Sequence, residues 1–405
     1  MRVILINARP DAESNPGGDT IQVDQTMRAL CALGVEAVVH PARLVDSLPG
    51  CDLVHIFNLQ MPESAWRATL SVRARGLPLV FSPIYWEEYE LWFGTGSMQR
   101  SLWQWSRRVL GERTTRRGYV RWQRAKEPKR QAWRLQRRIL LAADALLPNS
   151  SAEGSMLARA FRLGPDCRSR IYVVPNGIDP ELFLSPPKPD EEFAAHYGVR
   201  DFILQVATVY PVKNQLGVLE ALSDRPEPLV FIGHAHPAFD DYAAECRRRG
   251  EARGRVVFID HVPHDRLPGV YALARVHVLP SWRETPGLAS LEAAAAGCKV
   301  VTTTVGSAAE YFGQDAWYCD PGDIGSIRRA VLSAQDHVGA AGLRDRVLRE
   351  FTWRQTALAT AEAYARVLRQ PAPDAGSSGI RAAVRGTQES ETHSASAEVD
   401  KPDRG

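Results

Sequence analysis

Short β-rich runs alternate with amphipathic helical stretches twice along the 405 residues, once before and once after a proline-rich break. In the first half, residues 3–7, 36–40, 53–57 and 79–83 read as strands and 21–33 as a helix; strands at 145–148 and 171–174 continue the series around a helix at 151–161. Such alternation demands a parallel sheet, because parallel neighbours need a crossover and a helix supplies it while covering one face. Pro175-Asn176-Gly177 and the three prolines among residues 185–189 interrupt the pattern. It resumes with strands at 202–208, 229–233, 256–259, 276–280, 299–303 and 316–319. The expected architecture is α/β, with two Rossmann-like domains in tandem: an N-terminal one over 1–185 and a C-terminal one over 198–350, followed by a helix over 351–370. Residues 371–405 carry almost no large apolar side chain, too few to offset ordering entropy, so a disordered tail is expected there.

Composition narrows the function classes. A net charge of +3 does not by itself indicate a nucleic-acid binder, but it conceals a segregated distribution. Residues 97–140 hold 14 Lys and Arg against Glu112 and Glu127, a local +12 that leaves −9 on the rest of the chain. Four of the ten tryptophans, Trp103, Trp105, Trp122 and Trp133, lie in the same insertion. Arginine and tryptophan together suit an anionic membrane surface. The plainer alternative is a solvated helical insertion whose tryptophans pack on the domain, and no nucleic-acid motif accompanies the charge. The six cysteines are scattered, which fits a reducing compartment. No apolar run approaches the roughly 18 residues of a membrane span, and the opening apolar stretch stops at Asn7. A cytoplasmic chain is expected, at most peripheral on the inner face of the cytoplasmic membrane. Only six of the 50 basic residues are lysines, which lends each lysine interest.

The most informative stretch is residues 280–301, PSWRETPGLASLEAAAAGCKVV. A strand ends at Pro280, a loop carries Glu284, and Thr285-Pro286-Gly287 has the form of a helix start with proline at the first helical position. The amides of Gly287 and Leu288 would then be free donors at the positive end of a helix, an anion site at the C-terminal edge of a parallel sheet. Glu292, further along that helix, can accept hydrogen bonds from the hydroxyls of a ribose, and Glu284 from those of a sugar ring. Two glutamates alone are weak evidence, since surface helices are full of them; their placement around a Pro-Gly helix start is what carries weight.

This assembly resembles the signature of retaining glycosyltransferase family 4, two glutamates separated by seven residues, in the GT-B fold of two Rossmann-like domains facing across a cleft. The resemblance extends over residues 1–369. The Gly17-Gly18 loop resembles the family's glycine loop, DLVHIFN at 52–58 and LLPNSSAE at 146–153 its N-domain strands, and VVPNGIDPELF at 173–183 its interdomain connection. VATVYPVKNQ at 206–215 stands where the family places its diphosphate loop, and TTTVGSAAEYF at 302–312 follows the expected strand. The helix near the end looks like the family's closing helix, which crosses back to the N-domain. The resemblance implies that Glu284 contacts donor-sugar hydroxyls, Glu292 the ribose and Lys213 the diphosphate, with Gly17 and Gly18 closing from the opposite domain. It implies a nucleotide-sugar donor, UDP- or GDP-linked, as substrate with no further cofactor, a glycan or lipid-linked acceptor, and no metal.

Two positions depart from the pattern. Thr208 stands where relatives commonly carry a basic residue, so Lys213 lacks its usual companion unless Arg283 substitutes. Many relatives place a histidine after the fourth strand, whereas this chain reads SPIYWEEYELW at 82–92. There Tyr85 and Trp86 either stack on an acceptor sugar or pack between domains; Glu87, Glu88 and Glu90 are further acceptor-site candidates. His55 reads as a buried strand-end histidine more readily than as a catalyst. Two other functions fit the same fold: a nucleotide-sugar epimerase, and a catalytically silent binding or partner subunit.

Overall fold

The structure, a computed structural model, describes residues 1–14, 16–94, 101–337 and 342–369; the tail expected at 371–405 lies outside them. Two parallel sheets form. The first contains β1 (Arg2–Asn7), β2 (Glu36–Val39), β3 (Leu53–Phe57), β4 (Leu79–Ser82) and β5 (Ala145–Leu146) in the order β2-β1-β3-β4-β5. The second contains β6 (Phe202–Val206), β7 (Leu229–Ile232), β8 (Val256–Ile259), β9 (Ala274–Leu279), β10 (Lys299–Thr303) and β11 (Trp317–Cys319), in the order β11-β10-β9-β6-β7-β8.

Strand alternation sends the two sets of β1 side chains into separate layers. Val3 and Leu5 pack with Val23 and Leu30 of the Gly18–Ala32 helix, whereas Ile4 and Ile6 pack with Ala65 and Val72 of the Pro62–Ala74 helix. The second sheet repeats the device: Ile203 faces Val218 and Val331, while Phe202 and Leu204 face Val270 and Leu291. Burial of these strands on both faces explains why they read as nearly continuous apolar runs.

One expected strand is absent. Residues 171–174 make only an isolated bridge from Ile171 to Leu146, with hydrogen bonds from the Tyr172 and Val174 amides to Leu146 and Pro148. Pro148 has no N–H to return, so the ladder cannot continue. The helix after Glu284 also begins later than expected. It spans Leu288–Ala295 with Gly287 as its N-cap, so Pro286 precedes the cap rather than opening the first turn.

Two segments join the sheets. Ile178 pairs with Thr352, its amide donating to Phe351 O and its carbonyl accepting from Trp353 N. Gly177 permits the approach, since a Cβ there would stand 2.2 Å from the Thr352 carbonyl carbon. The Trp353–Leu368 helix then lies on the first sheet's side, where Ala357, Ala361 and Tyr364 join the layer of Val3 and Leu5.

Candidate active site

In each sheet the connections leave in opposite directions from two adjacent strands, and the crevice beyond their C-terminal ends is where such folds take ligands. In the second sheet those strands are β6 and β9. The turn after β6 carries Lys213 and the loop after β9 carries Glu284, and Lys213 Nζ lies 2.8 Å from Glu284 Oε2. Gln205 Nε2 donates to the Lys213 carbonyl (2.7 Å), and Asn214 Nδ2 bridges the Pro280 and Pro321 carbonyls at 3.2 and 3.0 Å. Burial opposes the Lys213 charge, but the Glu284 carboxylate and Tyr210 outweigh it and hold the ammonium above the ordinary lysine value. The second sheet also fixes the Glu284 backbone: its amide donates to Val305 O, its carbonyl accepts from Ser307 N, and a Cβ on Gly306, at φ +126°, would fall 2.0 Å from that carbonyl oxygen.

Gly287 adopts φ +88°, and a Cβ there would meet Glu284 Cγ at 3.0 Å, so glycine is required both for the turn and for the closeness of the helix start to Glu284. The first amides of a helix have no intrahelical acceptor, and those of this helix begin at Leu288, beside the Gly287 N-cap. Glu292, one turn on, is held by His264 Nε2 (2.8 Å) and the Tyr271 hydroxyl (3.4 Å). Its hydrogen bond raises the His264 pKa above the ordinary value. Neither partner was evident from sequence: His264 lies on a separate loop after β8, with nothing nearby to mark it.

Arg283 lies near enough to Lys213 for its charge to oppose the ammonium, but its own ion pair is with another residue. It points to Glu88, beyond the first sheet's β4, with Nη1 2.8 Å from Glu88 Oε1 in an ion pair whose geometry does not make a hydrogen bond. Thr208 offers its carbonyl to Gln215 Nε2 (3.0 Å). Facing these loops, the first sheet presents the crevice between β1 and β3. Gly17 caps the Gly18–Ala32 helix there, its amide donating to Thr20 Oγ1 at 3.3 Å. Asp19 accepts from Asn7, Arg9 and Asn58 at 3.0, 2.9 and 3.1 Å. Arg9, two residues past β1, is a crevice cation that sequence reading passed over; its position at a strand's C-terminal end was the available signal.

The 85–90 stretch turns largely inward. Tyr85 and Trp86 pack on the first sheet's own core, and the Tyr85 amide donates to the buried Glu153 carboxylate (2.8 Å). Burial raises Glu153 to about 7, against the two amides that lower it. Glu87 is engaged by Arg124 of the basic insertion at 2.9 Å (Nε–Oε2), and Glu90 lies 3.9 Å from Arg116, with burial raising its pKa. His55 is buried between Ser82 Oγ (2.8 Å) and the Tyr364 hydroxyl (2.7 Å), and burial lowers its pKa to about 3. It ties the last helix to β3; it is buried as expected, but at the middle of the strand rather than at its end. Among the described residues, no group of three or more His, Cys, Asp and Glu comes together as a metal site.

The two-sheet arrangement is the GT-B fold. The structure aligns with sucrose-phosphate synthase from Thermosynechococcus elongatus at TM-score 0.66 and 19% identity, covering 91% of this chain and 100% of that one. It aligns with Anabaena HepE in complex with UDP-glucose at TM-score 0.59 and 16% identity, covering 96% and 100%. At these identities the likeness is one of fold. Residues 200–337 match the family described as "Glycosyl transferases group 1", and residues 27–182 match "Glycosyltransferase Family 4". The chain therefore belongs to the group 1 glycosyltransferases of the family 4 type. It is 33% identical over 175 residues to the O-antigen chain mannosyltransferase B of Escherichia coli, covering 40% of this chain and 45% of that one. It is 29% identical over 255 residues to the glycogen synthase of Mycobacterium tuberculosis, 58% of each. The chain thus spans about half the length of the curated relatives it matches.

Proposed function

We propose that the protein is a retaining hexosyltransferase moving a sugar from a UDP- or GDP-linked donor to a glycan or lipid-linked acceptor, in cell-surface polysaccharide or glycoconjugate synthesis. The carrying observation is the Lys213–Glu284 pair at 2.8 Å beside the Gly287 helix start: a cation, a carboxylate and free amides together at the crevice between β6 and β9. The names of the relatives, a mannosyltransferase acting on an O-antigen chain and a HepE structure holding UDP-glucose, support the substrate class.

In this reaction the acceptor hydroxyl oxygen bonds to the anomeric carbon as the bond to the diphosphate oxygen breaks on the same face. The acceptor proton passes to the departing phosphate oxygen. Lys213 and the amides of Gly287, Leu288 and Gly18 stabilise the charge that develops on the diphosphate, Gly17 closing the loop beside them, and these fixed positive groups make a metal unnecessary. Glu284 orients the donor sugar and Glu292 the ribose. Thr208 and Arg283 border the donor, whereas Tyr85 and Trp86, packed on the first sheet's core, and Glu87, held by Arg124, are left to support the acceptor side rather than to touch the acceptor. Binding of UDP, GDP, ADP and CDP by thermal shift, then transfer from the matching sugar conjugates, tests the assignment. Mass-neutral conversion of a donor without acceptor would point to an epimerase, and a chain that binds none of them to a silent subunit.

The insertion's outer face bears on the acceptor's setting. On the Ser101–Leu110 helix Trp105, Val109 and Leu110 are 60%, 57% and 56% exposed, beside the exposed Arg108. Arg117, Arg121, Lys126 and Lys129 are exposed on the same insertion. No helix among the described residues is long and apolar enough to cross a membrane. On the proposed reading this face rests on an anionic bilayer, with Trp105 at headgroup depth. Flotation with vesicles containing anionic lipid, but not with neutral ones, is the expected result.

A further inference from the structure

The insertion also has an inner face, and that face grips the loops carrying Lys213 and Glu284. Arg116, on the Glu112–Lys126 helix, makes a two-pronged contact with Asp320, the residue after β11: Nη1 to Oδ1 at 2.7 Å and Nη2 to Oδ2 at 2.5 Å. Arg117, the next residue, is exposed, so consecutive arginines meet different surroundings, one the second sheet's loops and the other solvent. Beside this pair stands Trp282, two residues before Glu284 and 6% exposed. The tip of its indole occupies space left by two glycines: a Cβ on Gly94 would fall 2.0 Å from Trp282 Cη2, and one on Gly322 would fall 3.1 Å from the same atom and 2.9 Å from Arg116 Nη1. Leu91, from the helix that ends at Gly94, packs with Trp282 and Val212, and the Trp282 amide donates to Val212 O at 2.8 Å. Val212 in turn adjoins Lys213. Both members of the Lys213–Glu284 pair are therefore held from behind by one apolar contact that crosses from the first sheet's side to the second's, closed off by one bidentate ion pair.

We propose that Arg116 and Trp282 are positioning residues: the insertion clasps the second sheet's loops through Arg116–Asp320 and the seated Trp282 ring, and thereby fixes Glu284 against Lys213. This rests on the proposed function for its catalytic consequence, but not for its structural one. A bidentate guanidinium–carboxylate pair sets orientation as well as distance, and an indole wedged against two glycines admits one placement. Unclasped, the Glu284 loop would keep its β-bridge to Gly306 yet lose the contact that sets its approach to Lys213.

Amide hydrogen exchange over residues 281–287 reads the positioning without substrate. In Arg116→Ala, and in Gly94→Val, whose added side chain would expel the indole, exchange there should rise about fivefold or more while the core strands stay protected. The exchanged pair Arg116→Asp with Asp320→Arg should return it to within about threefold of wild type. Unchanged exchange in both single variants, or no recovery in the exchanged pair, overturns the proposal. With a sugar donor, kcat should fall about tenfold in Arg116→Ala and recover in the exchanged pair, while affinity for the nucleoside diphosphate, gripped through Glu292, changes less. A wild-type chain that transfers no sugar would sink the proposed function, yet the exchange result would still decide the clasp.

Discussion

Lys213 Nζ and Glu284 Oε2 meet at 2.8 Å from loops on two neighbouring strands, with side-chain exposures of 20% and 9%. A carboxylate this secluded depends on its cation. Lys213→Ala should lower stability by about 2 kcal/mol, less than for a fully buried pair because water still reaches the lysine. It should reduce sugar transfer by about a hundredfold or more, since the leaving diphosphate loses its fixed charge. Urea unfolding and steady-state transfer rates check the two effects separately.

Glu310, from the second sheet's side, accepts from the Ser151 amide at 2.8 Å and from the Ala152 amide at the start of the Ser151–Ala160 helix. Ser150 caps the helix through Glu153 N, and Glu310 adds acceptors for its first two amides from across the molecule. Glu310→Ala should cost about 1 kcal/mol, the usual worth of a cap, whereas Glu310→Gln should retain part of it. Comparison of thermal midpoints distinguishes a cap from a surface glutamate, whose removal would change nothing.

Glu292 raises the pKa of His264 through their 2.8 Å hydrogen bond. A folded-state value above the unfolded one means stability that is full below the unfolded pKa of about 6.5 and is lost as pH rises through the higher folded value. The stability difference between wild type and His264→Ala should therefore be largest in mild acid and shrink toward alkaline pH. A difference that grows with pH would contradict the pairing.

His55 and His277, the latter buried on β9 with its Nε2 3.2 Å from Ser290 Oγ, behave oppositely. Burial lowers each to about 3, with Lys213 adding to the effect at His277. Their neutral forms support the fold fully above about pH 6.5, and stability falls as pH drops from there toward 3, by up to about 1.4 kcal/mol per pH unit for each group. Replacing His55 with Gln, which keeps polar contacts without titrating, should flatten the acid slope by about one proton. Unfolding free energy measured against pH reads that slope directly.

Much of the architecture was legible in the chain because its cause is local. Strands 53–57, 256–259 and 299–303 appear where the short β-rich runs predict them, and the last helix spans Trp353–Leu368, inside the 351–370 range expected for it. The failures have local causes of another kind. The 171–174 run has strand composition but faces Pro148, and the helix after Glu284 waits for Gly287 because φ +88° there must precede the first turn. The +12 insertion was legible as charge, yet its division was not: Arg116 turns inward to Asp320 and Arg117 outward, a choice made by what stands opposite.

Two doubly covered parallel sheets, the loops that end their strands and the residue types those loops carry are all written locally, because backbone periodicity and turn chemistry act over a few residues. Which of those residues meet is settled by the packed fold. Lys213 finds Glu284 across 71 positions, His264 finds Glu292 across 28, and Arg116 finds Asp320 across 204. Strand order sets these pairings, and strand order is fixed by the simultaneous burial of both faces of each sheet, which no single segment can express.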